Sequence, residues 1–313
     1  MRKCAAVRRQ TNDDDDFSSN YQMKEKVIRY AVSDFSIKEA FEIIDLLFER
    51  GYASSCLEKN SRWIVEIFSG EEITESEISA ILRNYRFSKI ESLELTGINW
   101  LQKCFENFRP ITVGDFYIRG SHMRSEAAPA DKIIMEITAA TAFGTGEHPT
   151  TSSCLIACQT FFDEKQHKTA LDVGCGSGIL SIALAKLGAR HVYAYDNDEE
   201  ATRISRENIE INRVTSRVEV IKNKNCEFDC RLYDFVVANI LADPLIAISN
   251  AITSSLKEKG ILVLSGFMSD ENDVLQKYLS LGLKLKFRYD HKGWVTLVLK
   301  KAERRLANGT NRI

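Results

Sequence analysis

A strand ending in Leu171-Asp172-Val173 and followed at once by Gly174-Cys175-Gly176-Ser177-Gly178 constrains this chain more than any other stretch. Glycines at alternate positions permit a tight strand-to-helix turn and let a ligand approach the backbone at a helix N-terminus. From Thr169 onward, strand patterns near 169–173, 191–195, 218–221, 234–238 and 261–265 alternate with helical patterns near 178–187, 199–212, 244–256 and 271–280. Alternating βα units predict a mostly parallel sheet covered on both faces. The pattern closes differently. Strand patterns at 283–289 and 294–299 flank Asp290-His291-Lys292-Gly293, which predicts a terminal antiparallel hairpin.

The chain has 313 residues, enough for about two domains. The segment 24–96 carries a different pattern. A strand over 26–31 precedes a helix with Ala40, Ile43, Ile44, Leu47 and Phe48 on one face and Gly51 past its end. Strands over 53–58 and around Trp63–Phe68 follow, then a helix marked by Ile78, Ile81 and Leu82, then a strand over 89–95. This β-α-β-β-α-β order predicts a small ferredoxin-like α+β domain. An apolar stripe of Trp100, Leu101, Cys104, Phe105 and Phe108 predicts a linker helix over 97–111, ended by Pro110. The larger domain then spans 112–300. Its segment 111–137 reads as strands and loops without an evident arrangement. Residues 301–313 form a polar tail. Residues 1–22 have no apolar periodicity and carry Asp13-Asp14-Asp15-Asp16, so a disordered extension is expected. They resemble neither a secretory signal nor a mitochondrial presequence.

With 42 Lys+Arg against 44 Asp+Glu, the formal charge is −2, which gives no electrostatic signal for nucleic acid as a main partner. No apolar run is long enough to span a bilayer. The eight cysteines are scattered without a CxxC pair, so structural thiols in a reducing cytoplasm are expected, and no metal site.

Chemistry concentrates at the predicted carboxyl ends of the strands, where open α/β sheets bind ligands. A dinucleotide fingerprint would need glycine at 179, which is Ile179. The third glycine comes one place early, at Gly178, a spacing that looks like the first motif of S-adenosylmethionine-dependent methyltransferases. Asp196, at the end of the second strand, suits ribose hydroxyls in either cofactor reading. Its alternative, a helix N-cap, is open to Asn197 or Asp198 as well. Asn239, at the end of the fourth strand, offers both donors and an acceptor, yet is equally readable as a turn residue before Pro244. His148 invites a general-base reading, but its place before Pro149 in a Gly-rich turn suits a loop brace. Cys175 reads as a small packed side chain.

The segments Phe143-Gly144-Thr145-Gly146-Glu147-His148-Pro149-Thr150-Thr151 and Asn239-Ile240-Leu241-Ala242, with the glycine loop and Asp196 between them, resemble in order and spacing the methyltransferases of ribosomal protein L-eleven (L11), the PrmA family. The resemblance covers about residues 24–300 and implies a class I methyltransferase domain behind a ferredoxin-like substrate-recognition domain. It implies S-adenosyl-L-methionine as cofactor, held by Thr151, Gly174, Gly176, Asp196 and Asn239, with Phe143 and Thr145 covering it from the preceding loop. It also assigns Asn239 the catalytic role of directing an amine lone pair at the methyl. Here Ile240-Leu241 stands where other amino-group methyltransferases carry Pro-Pro.

The implied activity is methylation of L11 at its N-terminal amine and lysine side chains by a cytoplasmic, monomeric enzyme. A free lysine at pKa ~10.4 costs about 4.6 kcal/mol to deprotonate at pH 7, and an N-terminal amine near ~7.8 about 1.1 kcal/mol. Desolvation can supply much of this, so no dedicated base is required. Three other readings remain open: the same fold acting on another protein, RNA or a small molecule; an NAD-dependent oxidoreductase; and a non-catalytic ribosome-binding module.

Overall fold

The computed structural model describes residues 27–50, 52–59, 62–69, 72–95, 110–124, 127–138, 148–223, 228 and 231–303. The chain divides into two compact units, Met1–Gln102 and Lys103–Ile313. The expected extension (1–22) and most of the expected linker helix lie outside the described residues.

In the first unit, β1 (Val27–Phe35), α1 (Ile37–Glu49), β2 (Ala53–Lys59), β3 (Arg62–Ser69), α2 (Glu75–Ile81) and β4 (Lys89–Leu95) follow the predicted order. The strands form one antiparallel sheet in the order β2-β3-β1-β4, which is ferredoxin-like. Both helix starts are set by local chemistry. Thr74 and Glu77 form a capping box, and Ser36 and Glu39 exchange the equivalent pair of bonds. Ala40, Ile43 and Leu47 then share one core with Tyr30, Val32, Val65 and Ile67. Sequence periodicity found these elements but shortened β1, which runs four residues past the expected end at 31.

The second unit opens with a three-stranded sheet that the sequence left unarranged. β5 (Ile111–Val113) pairs antiparallel with β6 (Phe116–Gly120), and β6 pairs parallel with β7 (Ile133–Ile137). Ile111, expected to close the linker, is the first residue of β5. After α3 (Pro149–Phe161) the chain alternates β8 (Thr169–Val173), α4 (Ile179–Lys186), β9 (His191–Asp196), α5 (Glu199–Ile211), β10 (Val218–Lys222) and β11 (Tyr233–Asn239). There follow α6 (Ala242–Ala247), α7 (Ser249–Ser255), β12 (Leu256–Met268), α8 (Asn272–Ser280), β13 (Leu283–His291) and β14 (Trp294–Lys301). The seven strands lie in the order β10-β9-β8-β11-β12-β14-β13. The first five are parallel, and β14 runs antiparallel to both neighbours. This is the class I methyltransferase sheet with its terminal hairpin.

Both faces of the sheet are buried. In β11, Phe235 and Val237 enter the core shared with α3 and α4, while Val236 and Ala238 enter the opposite core with Leu245 and Tyr278. That explains why these strands read as apolar runs rather than as alternation. Several boundaries differ from expectation, among them β12, expected over 261–265, which runs over Leu256–Met268. The single helix expected over 244–256 is two, broken at Ile248, beside which Ser249 Oγ takes the Ile246 carbonyl. The hairpin strands extend to a two-residue turn, Lys292-Gly293, with both φ values positive, as a tight hairpin turn requires. Lys301, counted with the tail, ends β14, and its ammonium donates to the carbonyls of Thr253 and Leu256. Among the described residues no helix is long and apolar enough to cross a membrane.

At the amino ends of β8 and β11, Asp234 holds the sheet together. Its carboxylate accepts from the backbone N–H groups of Lys168 (3.0 Å) and Thr169 (2.9 Å), from Thr169 Oγ1, and from Lys257 Nζ at 2.9 Å. Burial opposes its ionisation, but these donors outweigh burial and hold the carboxyl below its ordinary range. Asp234→Ala should cost about 2–4 kcal/mol, because two backbone donors and an ammonium lose their acceptor. Thermal melts at neutral pH check this. The lowered value also fixes the sign with pH: Asp234's contribution is fully present above about 3.8 and is lost as pH falls through the folded value.

Candidate active site

The strand-to-helix turn after β8 has the backbone the sequence demanded. Gly174, Gly176 and Gly178 have φ of +70°, +52° and +79°. Tyr195, the penultimate residue of β9, accepts at its carbonyl from the N–H groups of both Gly174 (2.8 Å) and Cys175 (3.0 Å). Asp196, next in line, accepts from the Gly176 N–H at 2.9 Å through Oδ2 and from the Asp198 N–H at 3.0 Å through Oδ1. The N-cap of α5 is Asp198, whose Oδ1 accepts from Glu200 N–H. Asp196 is therefore not the cap. It braces the glycine loop and keeps lone pairs open outside the sheet edge.

Asn239 ends β11, one strand away on the other side of β8. Its Nδ2 donates to Thr151 Oγ1 at 3.3 Å, and its Oδ1 is buried with no partner among the described residues. Thr151 stands in the first turn of α3, 1% exposed. Gly174, Gly176, Asp196, Thr151 and Asn239 thus meet at the carboxyl edge of the sheet. Phe143 and Thr145 lie outside the described residues.

The turn after Asn239 is held by close backbone approach. Ile240 N–H donates to the Ser265 carbonyl, and Gly266 follows at φ +100°. A Cβ on Gly266 would lie 2.3 Å from the Ile240 carbonyl oxygen, and a Cβ on Gly174 would lie 2.3 Å from Ile240 Cγ2. Ile240 is wedged between two glycines, which fixes the turn immediately after Asn239.

His148 caps α3 with Nδ1, which accepts from Thr150 N–H and lies 2.8 Å from Thr150 Oγ1. Its ring meets Trp294 edge-on at 4.9 Å. Burial pushes its pKa down to about 4, so the imidazole is neutral and serves as a helix cap. The Cys175 thiol is buried and pushed well above its ordinary range, which leaves it a packed side chain.

Asp172 was quoted in the motif but given no role. It is fully buried, with Ser181 Oγ donating to Oδ2 at 2.6 Å and Oδ1 unpartnered. Burial pushes its carboxyl up to about 7. The available signal was an acid inside the apolar strand Thr169–Val173, directly before the glycine loop. Two orphaned acceptors, Asp172 Oδ1 and Asn239 Oδ1, thus flank a loop whose glycines leave room for a ligand. The set has hydroxyl and amine acceptors and lacks the third glycine of a pyrophosphate cradle, so it fits a nucleoside carrying an amino acid better than a dinucleotide.

The family model described as Ribosomal protein L11 methyltransferase (PrmA) matches residues 22–302. The chain belongs to this family. Among its relatives, a ribosomal protein L11 methyltransferase from Caulobacter sp. (strain K31) is 33% identical over 247 residues, 78% of this chain and 85% of the relative. Another from Chelativorans sp. (strain BNC1) is 32% identical over 276 residues, 84% of this chain and 95% of the relative. The crystal structure of ribosomal protein L11 methylase from Lactobacillus delbrueckii subsp. bulgaricus superposes with a TM-score of 0.58 at 25% identity, covering 63% of this chain and all of that one. The methyltransferase fold read from the glycine loop and the alternating strands agrees with all three.

The Ile240 wedge makes a stability prediction. Gly266→Ala should cost about 3 kcal/mol or more, from a left-handed backbone plus a collision with backbone atoms that cannot swing away. Gly282→Ala is the control: its φ is +87° but no atom lies within 4 Å of the added Cβ, so it should cost about 1 kcal/mol. Denaturant titration of both variants separates the collision from the dihedral penalty.

Proposed function

We propose that this protein transfers methyl groups from S-adenosyl-L-methionine to amino nitrogens of ribosomal protein L11, its N-terminal amine and lysine side chains. The observation that carries the reading is the orientation of the Asn239 amide. Its donor end is committed to Thr151, so its acceptor end, Oδ1, is the group open to an incoming substrate. An acceptor there binds the N–H of a neutral amine and turns the amine lone pair away from itself. A hydroxyl nucleophile would have its only proton taken up by the same contact and would still need a base.

S-adenosylmethionine would be held by the glycine loop and Asp196, and supplies an electrophilic methyl on a sulfonium centre. The chain's own part is to hold and dehydrate. Asp196 keeps the loop in place through Gly176 and has lone pairs left for two ribose hydroxyls. Asn239 holds the amine in line, and positioning of this kind can supply several kcal/mol of the barrier. His148 takes no part as a base: an imidazole whose conjugate acid has a pKa near 4 cannot draw a proton from an ammonium. Deprotonation is left to solvent before binding and to burial beside a cation. The ferredoxin-like unit is assigned recognition of the protein substrate, on the strength of the family resemblance.

Mass spectrometry of purified L11 after incubation with the full chain and labelled S-adenosylmethionine tests the substrate directly. Successive methyl groups at the N-terminus and lysines are expected. Unmodified L11, alongside methylation of another component of a ribosome extract, would reassign the substrate. For the site, Asp196→Ala should weaken S-adenosylhomocysteine binding about 10- to 150-fold by calorimetry. Asn239→Ala should lower kcat by about 100-fold or more. Tighter binding of NADH than of S-adenosylhomocysteine by the wild type would sink the reading.

A further inference from the structure

Along the buried face of α5, beside Ala201, Ile204 and Ile209, runs a polar stripe. Ser205 and Asn208 are fully buried, and Asn212 is 8% exposed. At spacings of three and four they form one stripe along the helix. Each member has a defined partner, because a buried amide without one costs about 1–3 kcal/mol. Asn212 accepts from the Glu136 N–H at 3.0 Å and donates to the Glu136 carbonyl at 2.6 Å. Those are the two backbone groups that a neighbouring strand would take from β7. A side-chain amide thus completes the outer edge of β7. The Glu136 carboxylate, on the same residue, is held by both Arg119 and Arg124.

Asn208 does something different. Its Oδ1 accepts from the Thr138 N–H at 2.8 Å, just past the end of β7, and its Nδ2 donates to the Ser177 carbonyl at 2.9 Å. Ser177 lies inside the glycine loop. One turn earlier, Ser205 Oγ lies 3.7 Å from Cys175 Sγ, and a Cβ on Gly178 would come within 2.5 Å of it. The buried face of α5 therefore holds the loop from behind, on the side opposite its open backbone, and joins it to β7.

We infer that Asn208 is a positioning residue for methyl transfer: by holding the Ser177 carbonyl it fixes the Ser177–Gly178 peptide, and through it the loop that seats the cofactor. This rests on the reading of the glycine loop as the cofactor cradle. The Ser177–Gly178 peptide sits where loop becomes helix. Its carbonyl is taken by Asn208, its N–H donates to the Cys175 carbonyl, and α4 begins at the next residue. Releasing the carbonyl frees this peptide to rotate. The left-handed conformations of Gly176 and Gly178 then lose one of the constraints that select them.

The test compares Asn208→Ala with Asn212→Ala in the full chain. Both delete a buried amide on the same helix face and both lose bonds to β7, but only the first releases the glycine loop. Calorimetric titration with S-adenosylhomocysteine, below both melting transitions, should show binding weakened about tenfold or more by Asn208→Ala and changed no more than about twofold by Asn212→Ala. Asn208→Asp should recover affinity as pH falls, because a protonated carboxyl again offers one donor and one acceptor. Near-wild-type affinity in Asn208→Ala, or equal losses in the two alanine variants, would overturn the inference while leaving the cofactor reading intact. No binding by the wild type would overturn both. Should Asn208→Ala fail to fold, amide hydrogen exchange on the wild type decides. Saturating S-adenosylhomocysteine should slow exchange at Thr138 more than at Lys168 and Thr169, whose N–H groups rest on Asp234 at the far end of the sheet, because coupling between two sites is reciprocal. Equal protection at the two ends would overturn the inference.

Discussion

Ile240 occupies a space that only two glycines could leave open, and the reacting edge of this protein is organised around that close approach. Gly174 gives up a side chain so that Ile240 can pack over the glycine loop, and Gly266 gives one up so that the Ile240 backbone can lie against β12. The result ties the ends of β8, β11 and β12 together at one point. Asn239 is the residue immediately before that point, so its direction follows from packing rather than from its own rotamer freedom. Close packing is what makes such a placement firm, since a collision with backbone cannot be relieved by a rotamer change.

Two ionisable groups near this edge carry opposite linkages to pH. Asp172 is raised to about 7 by burial, so its contribution to folding is fully present below about 3.8 and is lost as pH rises through 7. His148 is lowered to about 4 by burial, so its contribution is present above about 6.5 and is lost as pH falls toward 4. At neutral pH the neutral His148 carries no buried-charge cost, whereas the buried Asp172 carboxyl is part-ionised. A cost of that kind beneath the glycine loop is the mark of a site rather than of a core, since cores satisfy or neutralise their polar atoms. The Asp234 cluster at the opposite end of the same strands shows the contrast: there every carboxylate oxygen has a donor.

Several backbone groups at the rim of the second unit are satisfied by side chains rather than by strands. Asp196 holds Gly176, Asn208 holds Ser177 and Thr138, and Asn212 holds Glu136. In each case a short amide or carboxylate replaces a neighbouring strand. The loop and the edge of β7 are thereby kept in shape without a further strand crossing the edge where a ligand must enter.

By itself the sequence determined the order of elements in both units, because periodicity and glycine placement are local. The β-α-β-β-α-β run, the alternating βα run and the closing hairpin each appear as read, and of the residues that carried the family resemblance Thr151, Gly174, Gly176, Asp196 and Asn239 meet at one edge. Single residues with two local readings were decided only by tertiary structure. Asp198 reads as the cap from its place before Glu199 and is the cap, but only the fold shows Asp196 bracing the glycine loop. The arrangement of β5, β6 and β7 escaped because the outer edge and end of β7 are held by Asn212 and Asn208, 76 and 70 residues away along the chain. Asp172 looked like one letter of a motif until burial on all sides gave its carboxyl a distinct chemistry. His148 reads as a structural residue rather than a base from its place before Pro149, but only burial in the fold shows its imidazole to be neutral. Spacing along the chain fixes which face a residue lies on. Burial, partners and protonation are set by what folds over that face from elsewhere.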